Sequence, residues 1–294
     1  MDLTRSPVRV AVIGAGKVGT QIACLLSRSG DVITSVFDIN AEEAARFAQE
    51  TGASISKIAG EVFASADVIL ITTPDDAIED ACSQAVTGLD LNGKKVIHMS
   101  GAKGLSPLRC AEEAGADILS IHPIQTFPSF KAARDSLYGS TFGVTCKEEL
   151  KDWATKFVSK LGGSVIFVRD EDRVLYHAAS VIACNLFVML ESASIEVLKS
   201  IGIGEGEALR ALIPLLRSTL ENIAKLGPSR ALTGPLSRGD VGTIREHVHE
   251  LRKLDERIAS LYRALSLWGL HLIEDAGNLS KDKIEEIRRV LEEG

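Results

Sequence analysis

The chain has 294 residues, with 33 basic against 40 acidic side chains, a net charge of −7 and a pI near 5.5. That length exceeds one typical domain and supplies enough apolar sequence for a sizeable core. An acidic balance without a long basic run excludes tracking of a phosphate backbone, so no nucleic-acid partner is expected.

Five cysteines, Cys24, Cys82, Cys110, Cys146 and Cys184, are scattered and form no C-x-x-C. Neither a disulfide framework nor a zinc site is indicated, no metal is expected, and reduced thiols in a cytoplasmic protein fit better. The first apolar stretch is short and already committed to a strand, which does not suit a signal peptide. The longest apolar region, residues 178–190, is interrupted by Asn185 and reads as too short to span a bilayer, so no membrane is expected.

Residues 8–13 are almost continuously β-branched and apolar, as expected of a strand covered on both faces in a parallel sheet. Gly14, Ala15, Gly16, Lys17, Val18 and Gly19 follow directly as G-x-G-x-x-G, and Val18, Ile22, Leu25 and Leu26 then recur at helical spacing until Gly30. In that setting the first glycine allows a tight turn, the second lets main-chain N–H groups approach a pyrophosphate, and the third lets helix and strand pack closely. The phosphates of a bound dinucleotide would rest on the helix N-terminus, where free N–H groups and the positive dipole end favour anions. A second strand, residues 32–37, runs into Asp38, about 24 residues after Gly14, where an acid accepts hydrogen bonds from ribose hydroxyls. With no arginine close by in sequence, this carboxylate favours NAD over NADP; its alternative role is a cap or turn residue ahead of a helix starting near Ala41.

Strands are expected at residues 68–72, 95–98, 118–121, 141–145 and 165–168, with helices between them that include 76–85 and 148–161. The loop Thr72-Thr73-Pro74-Asp75-Asp76 offers Thr73, Pro74 and Asp75 to a cofactor, or simply caps the next helix. Ser100 and Gly101 follow a strand end, either as substrate contacts or as an ordinary glycine turn. His122 stands at the tip of another strand that Pro123 stops, as a substrate ligand or a structural hydrogen-bonding residue.

Past residue 170 the alternation gives way to helix, broken at 202–206, 227–228, 234–239 and 277–278. The fold class is therefore α/β, a doubly wound Rossmann domain over residues 1–170 followed by an all-helical domain over 171–294. The helix expected at 171–200 is apolar almost all round in AASVIACNLFVML, which predicts burial as a wall between domains or a dimer core. His177, Ser180 and Asn185 would then need partners, whether satisfied core groups or a ligand. His177 and Asn185 lie eight residues apart, about 12 Å along the axis and roughly 80° around it, so they would hold different atoms. In the turn ALTGPLSRGD, Arg238 suits a bidentate grip on a carboxylate, or pairs with Asp240 or a helix C-terminus.

Taken together, GAGKVG at 14–19, Thr73-Pro74-Asp75-Asp76, Ser100-Gly101, His122-Pro123 with Thr126-Phe127, YHAA at 176–179 with Asn185, and TGPLSRGD at 233–240 resemble one group of proteins. These are the Rossmann-like oxidoreductases with a C-terminal helical domain of unassigned function, distant relatives of pyrroline-5-carboxylate reductase, prephenate dehydrogenase, ketopantoate reductase and the 6-phosphogluconate and β-hydroxyacid dehydrogenases. The resemblance covers nearly the whole chain. It implies a homodimer through the helical half, a 233–240 turn that reaches the substrate pocket, and NAD or NADP as cofactor, since several members are NADP-linked. The lysine that precedes a helical asparagine by four residues in β-hydroxyacid dehydrogenases has no counterpart, because Val181 holds that position before Asn185. The expected activity is hydride transfer between nicotinamide and a small carbonyl or imine substrate bearing a carboxylate. His177 would be the general acid, Asn185 and Ser100 would orient substrate or nicotinamide, His122 would stand beside them, and Arg238 would hold the carboxylate. Ketopantoate reductase is one alternative and a non-catalytic dinucleotide-binding sensor or regulatory dimer another.

Overall fold

The computed structural model describes residues 7–64, 66–127 and 137–293. The chain divides into two compact units, Met1–Asn185 and Leu186–Gly294. The expected boundary at residue 170 marks the change of secondary-structure type.

In the first unit, β1 (Arg9–Ile13), β2 (Val32–Phe37), β3 (Ser54–Ile55), β4 (Val68–Ile71), β5 (Lys95–His98), β6 (Asp117–Pro123), β7 (Thr141–Thr145) and β8 (Ser164–Phe167) form an eight-stranded sheet in the order β3-β2-β1-β4-β5-β6-β7-β8. Strands β1 to β6 are parallel, β7 runs antiparallel to β6, and β8 is parallel to β7. β6 continues through Pro123, which pairs with Phe142 at the ladder's end, so the proline terminates the strand from inside it.

The helices of this unit are α1 (Lys17–Arg28), α2 (Ala41–Thr51), α3 (Ala59–Ala64), α4 (Ile78–Val86), α5 (Arg109–Glu113), α6 (Lys151–Lys160) and α7 (Arg173–Val181). Successive strand residues serve opposite faces. Val10, Val12, Val68 and Leu70 pack with Ile22, Phe47 and Phe157 from α1, α2 and α6. Ala11, Ile13, Ile69 and Ile71 pack with Phe63, Ile78 and Ala111 from α3, α4 and α5. Two covered faces are why these strands read as unbroken apolar runs rather than as alternation.

A π-helical turn, Ile182–Leu186, joins α7 to α8 (Phe187–Ser200). Then follow α9 (Glu205–Leu226), α10 (Pro228–Ala231), α11 (Pro235–Arg238), α12 (Val241–Leu254), α13 (Glu256–Ala276) and α14 (Lys281–Glu293). The glycine breaks fall where expected, and Asp255 adds one more, accepting a hydrogen bond from Arg257 N as the N-cap of α13. Val241, Ile244, Val248, Leu270, Ile273, Ile287 and Leu291 form a core among α12, α13 and α14.

The apolar run departs from expectation in two ways. In the single chain it is not buried: Leu175 is 74% exposed, Ile182 63% and Met189 63%. The helical stretch Asp170–Ser200 is also long and apolar enough, by length and composition alone, to cross a membrane. Its apolar character extends beyond residues 178–190, to Val174 and Leu175 on one side and Ala193 and Ile195 on the other. Arg173, at its start, is 1% exposed and bonded to main-chain carbonyls of the sheet unit, so that face of the helix rests on protein.

Candidate active site

The loop after β1 is built as its glycines require. Gly14 has φ +100, and a Cβ there would stand 2.8 Å from the main chain of Thr72 and Thr73. A Cβ on Gly19 would stand 2.6 Å from the carbonyl oxygen of Gly14. Gly16, the N-cap of α1, has no atom within 4 Å of its would-be Cβ, and no side chain caps the helix. Ala15 is buried and Val18 packs partly buried against the core, while Lys17 points outward as an exposed first helical residue. The Thr72 hydroxyl donates to Gly14 O at 2.5 Å and ties the loop to the end of β4. The neighbouring Thr73 hydroxyl is buried with no hydrogen-bond partner among the described residues. An open main-chain cradle, an uncapped helix N-terminus and an orphaned hydroxyl beside them fit a dinucleotide's pyrophosphate.

At the end of β2, Asp38 Oδ2 accepts from Ala15 N at 2.6 Å and Oδ1 from Asn40 N at 2.7 Å. It therefore supports the glycine loop, and Asn40 is the cap of α2, accepting from Glu42 N and Glu43 N. An arginine missed in the sequence also reaches this corner. Arg46, on α2, pairs with Glu43 and donates to Ala15 O at 3.2 Å. It is eight residues from Asp38 in sequence, but its helix folds it back over the loop.

Of the next loop's candidates, Pro74 is exposed and Asp75 opens a short 3-10 turn, Asp75–Ala77; the N-cap of that turn is Pro74 and that of α4 is Ala77, with no side-chain cap on either, so neither Asp75 nor Asp76 takes the capping role. Asp76 pairs with Lys103 at 3.5 Å.

Farther along the same sheet edge, the carboxyl ends of β5 and β6 meet α7. His98 is fully buried; its Nε2 and Gly104 O lie 2.7 Å apart, and its Nδ1 accepts from Ser100 N at 3.1 Å. Burial pushes its pKa down to about 4, so the neutral ring pins both ends of the 100–104 loop. Ser100 is buried, and its hydroxyl oxygen accepts from Lys103 N at 3.0 Å. A Cβ on Gly101 would stand 2.9 Å from His122 Nε2 and closer still to the His177 ring, so only glycine lets the two imidazoles converge there. Their centroids are 5.7 Å apart, edge to face.

His122 Nδ1 and the Tyr176 hydroxyl share a hydrogen bond of 2.8 Å. Burial first, then the charge of Arg173, pushes the His122 pKa down to about 3, which keeps the ring neutral. Arg173 donates to Lys103 O and Gly143 O, each at 3.2 Å, and closely to Ser100 O; its guanidinium lies 5.2 Å from the Tyr176 ring centroid. No carboxylate forms an ion pair with it among the described residues. Burial works against its charge, and burial also raises the Tyr176 phenol.

Arg173, Tyr176, His177 and Ser180 occupy positions i, i+3, i+4 and i+7, one polar face of α7 turned to the sheet, while Val174, Leu175 and Ile182 face outward. Arg173 and Tyr176 were not among the expected site residues. That spacing within an apolar helix was the signal that could have found them.

Two expected site residues stand differently. Asn185 is exposed rather than buried, within the π-helical turn at the end of the first unit. Arg238 lies in the second unit, where its Nη2 pairs with Asp240 at 2.9 Å, as the alternative reading had it. Ser180 donates to the Tyr176 carbonyl one turn back.

Residues 1–123 match the Rossmann-like domain, and residues 140–268 match DUF2520, a domain of unknown function. The chain joins a Rossmann-like domain to a DUF2520 domain. No curated protein matches it. Among solved structures it is similar to a Bacteroides fragilis protein provisionally assigned as an NADP oxidoreductase, at 25% identity over 88% of this chain and 96% of that one, with a TM-score of 0.71. A reductive aminase from Aspergillus terreus, in complex with NADPH and ethyl levulinate, is 19% identical over 96% of this chain and 99% of that one, with a TM-score of 0.65. A pyrroline-5-carboxylate reductase from Coxiella burnetii is 18% identical over 94% of this chain and all of that one, with a TM-score of 0.58. The DUF2520 match begins at β7 and therefore includes the α7 face that carries Arg173, Tyr176 and His177.

Proposed function

We propose that this Rossmann-like/DUF2520 chain is an NAD(P)-dependent oxidoreductase that moves hydride between the nicotinamide and a small carbonyl or imine carbon of a carboxylate-bearing substrate. The observation that carries this reading is the placement, along one carboxyl edge of one sheet, of a glycine loop open at Gly16 and a cluster of Gly101, His122, Tyr176 and His177. Ligands of doubly wound sheets lie along that edge. The NADPH and reductive aminase activity named for the Aspergillus terreus enzyme, and the reductase activity named for the Coxiella burnetii enzyme, support the same class.

Gly14 to Gly19 and Thr73 would hold the pyrophosphate, Pro74 and Asp75 would flank it, and Asp38 would meet the adenosine ribose. The nicotinamide, when bound, supplies or accepts the hydride. Asp38, Glu42 and Glu43 set three carboxylates against Arg46 at the start of α2, a balance that opposes a 2′-phosphate and favours NAD. In the reducing direction His177 gives a proton to the substrate heteroatom, and Ser100 with Asn185 orients substrate or nicotinamide. The neutral His122–Tyr176 pair fixes the wall beside His177. The buried charge of Arg173, held on the carbonyl oxygens of Ser100, Lys103 and Gly143, draws an anionic substrate toward the Ser100–Gly101 turn.

A homodimer, as part of the same proposal, is supported by the uncovered apolar residues of α7 and α8. An apolar groove of about 730 Å³ in the second unit, lined by Leu190, Leu212, Leu232, Tyr262 and Trp268, supports it as well.

The test follows absorbance at the reduced-nicotinamide band with NADH and NADPH against 2-keto acids, ketopantoate among them, and cyclic imines. Turnover that falls at least 100-fold in His177→Asn while cofactor still binds is expected. Full turnover in that variant removes His177 from the chemistry. Cofactor binding with no turnover on the whole panel replaces the enzyme with a dinucleotide sensor.

A further inference from the structure

On the sheet face covered by α3, α4 and α5, the last two helices bring together two cysteines that the proposed chemistry does not use. The Cys110 thiol donates to Cys82 Sγ across 3.1 Å, and the Ser83 hydroxyl donates to Cys110 Sγ at 3.7 Å. The two residues are 28 apart in sequence, so no spacing motif announces them. Cys82 is fully buried in the apolar cluster of Ile78, Ala85, Leu108 and Ala111, whereas Cys110 packs at its margin and is half-buried, within reach of small solutes. A disulfide sets its sulfurs about 2.05 Å apart, so a closure of roughly 1 Å between two neighbouring helices completes the bond. We propose that Cys82 and Cys110 are a modification site at which a hydroperoxide forms a reversible disulfide that ties α4 to α5.

The order of events follows from burial. Desolvation, with the neighbouring sulfur, raises the Cys82 thiol and keeps it protonated, so Cys110 is the sulfur that meets the oxidant. Its thiolate attacks the peroxide O–O bond; an S–O bond forms, the O–O bond breaks, and the leaving oxygen takes up a proton as water or an alcohol. Cys82 then attacks the Cys110 sulfur. The S–S bond forms as the S–O bond breaks, and the hydroxyl leaves as water with the Cys82 proton. Two thiols lose two electrons and two protons in all, and one hydroperoxide accepts them. Thiol reductants reverse the link.

The full chain, reduced and desalted, is exposed to a slight excess of hydrogen peroxide, labelled with N-ethylmaleimide under denaturing conditions, and mapped by mass spectrometry. The expected result is loss of two of the five labels, a linked peptide pair holding Cys82 and Cys110 at 2 Da below the sum of the reduced peptides, and recovery of both labels after dithiothreitol. In Cys110→Ser the remaining four cysteines should all label after the same treatment. Undiminished labelling of Cys82 and Cys110 in the wild-type chain, a sulfinate on Cys110 with Cys82 still free, or a link between two copies of the chain would each overturn the proposal.

Discussion

Replacing Gly16 and Gly19 by alanine, one at a time, separates two jobs that the glycine loop performs. Gly16 has φ −68 and ψ −175, open to any residue, and a Cβ there meets nothing within 4 Å. Gly16→Ala should therefore change folding stability only through a weaker N-cap preference, about 0.5 kcal/mol. The added methyl would stand in the space a phosphate must enter, an overlap of about 1–3 kcal/mol that weakens NADH and NADPH binding roughly 5- to 150-fold. At Gly19 the same methyl would fall 2.6 Å from the Gly14 carbonyl oxygen, which is main chain and cannot swing aside. Helix α1 must then move off β1, and even after a gain of about 1 kcal/mol in helix propensity the chain should melt several degrees lower. Calorimetric melts and cofactor titrations of both variants measure the contrast. Wild-type cofactor affinity in Gly16→Ala, or an unchanged melting temperature in Gly19→Ala, would refute the packing argument.

Asp38→Ser removes a carboxylate from the adenosine corner; at a separation of about 5 Å in a solvent-screened site this shifts the preference toward NADPH by roughly 1–2 kcal/mol, five- to thirtyfold in the ratio of dissociation constants. An unchanged ratio would remove Asp38 from cofactor selection. His98 and His122, at about 4 and about 3 against an ordinary 6.5, stay neutral in the folded chain and take up protons on unfolding. Stability is therefore full above pH 6.5 and is lost as pH falls toward 4 and 3, with a slope approaching about 1.4 kcal/mol per pH unit for each ring. Thermal melts between pH 7 and 5 should show the decline and His98→Gln should reduce its slope; a melting temperature indifferent to pH in the wild type would count against both buried rings. Leu175→Asp, on the exposed apolar face of α7, should leave helix content intact and convert a dimer to monomer in sedimentation velocity, and a wild-type chain that sediments as a monomer would contradict the dimer.

The β1–glycine loop–α1–β2 unit was legible because each of its requirements is local: a run of β-branched residues, three glycines at fixed spacing, an acid at a strand end. The helical breaks were legible for the same reason, since Gly202, Gly227, Gly239 and Gly277 all take positive φ at or just beyond a helix end. What escaped depends on contacts between distant segments. Arg46 is far from the glycine loop in sequence, yet α2 returns it to Ala15. Arg173 is far in sequence from Ser100, Lys103 and Gly143, so although its spacing with Tyr176 and His177 marks a polar face, nothing local reveals that its donors end on those carbonyls. The apolar composition of residues 178–190 predicted burial. In the single chain Ile182, Leu186, Val188 and Met189 of that stretch are exposed, because composition sets how apolar a helix is, not which molecule covers it.

Direct titration of the folded wild-type chain with NADH and with NADPH, followed by nicotinamide fluorescence, tests most directly whether a dinucleotide seats at the opening in front of Gly16. Saturable binding of both is expected, with one site per chain and tighter for NADH. Failure of a natively folded chain to bind either coenzyme would contradict a dinucleotide site there.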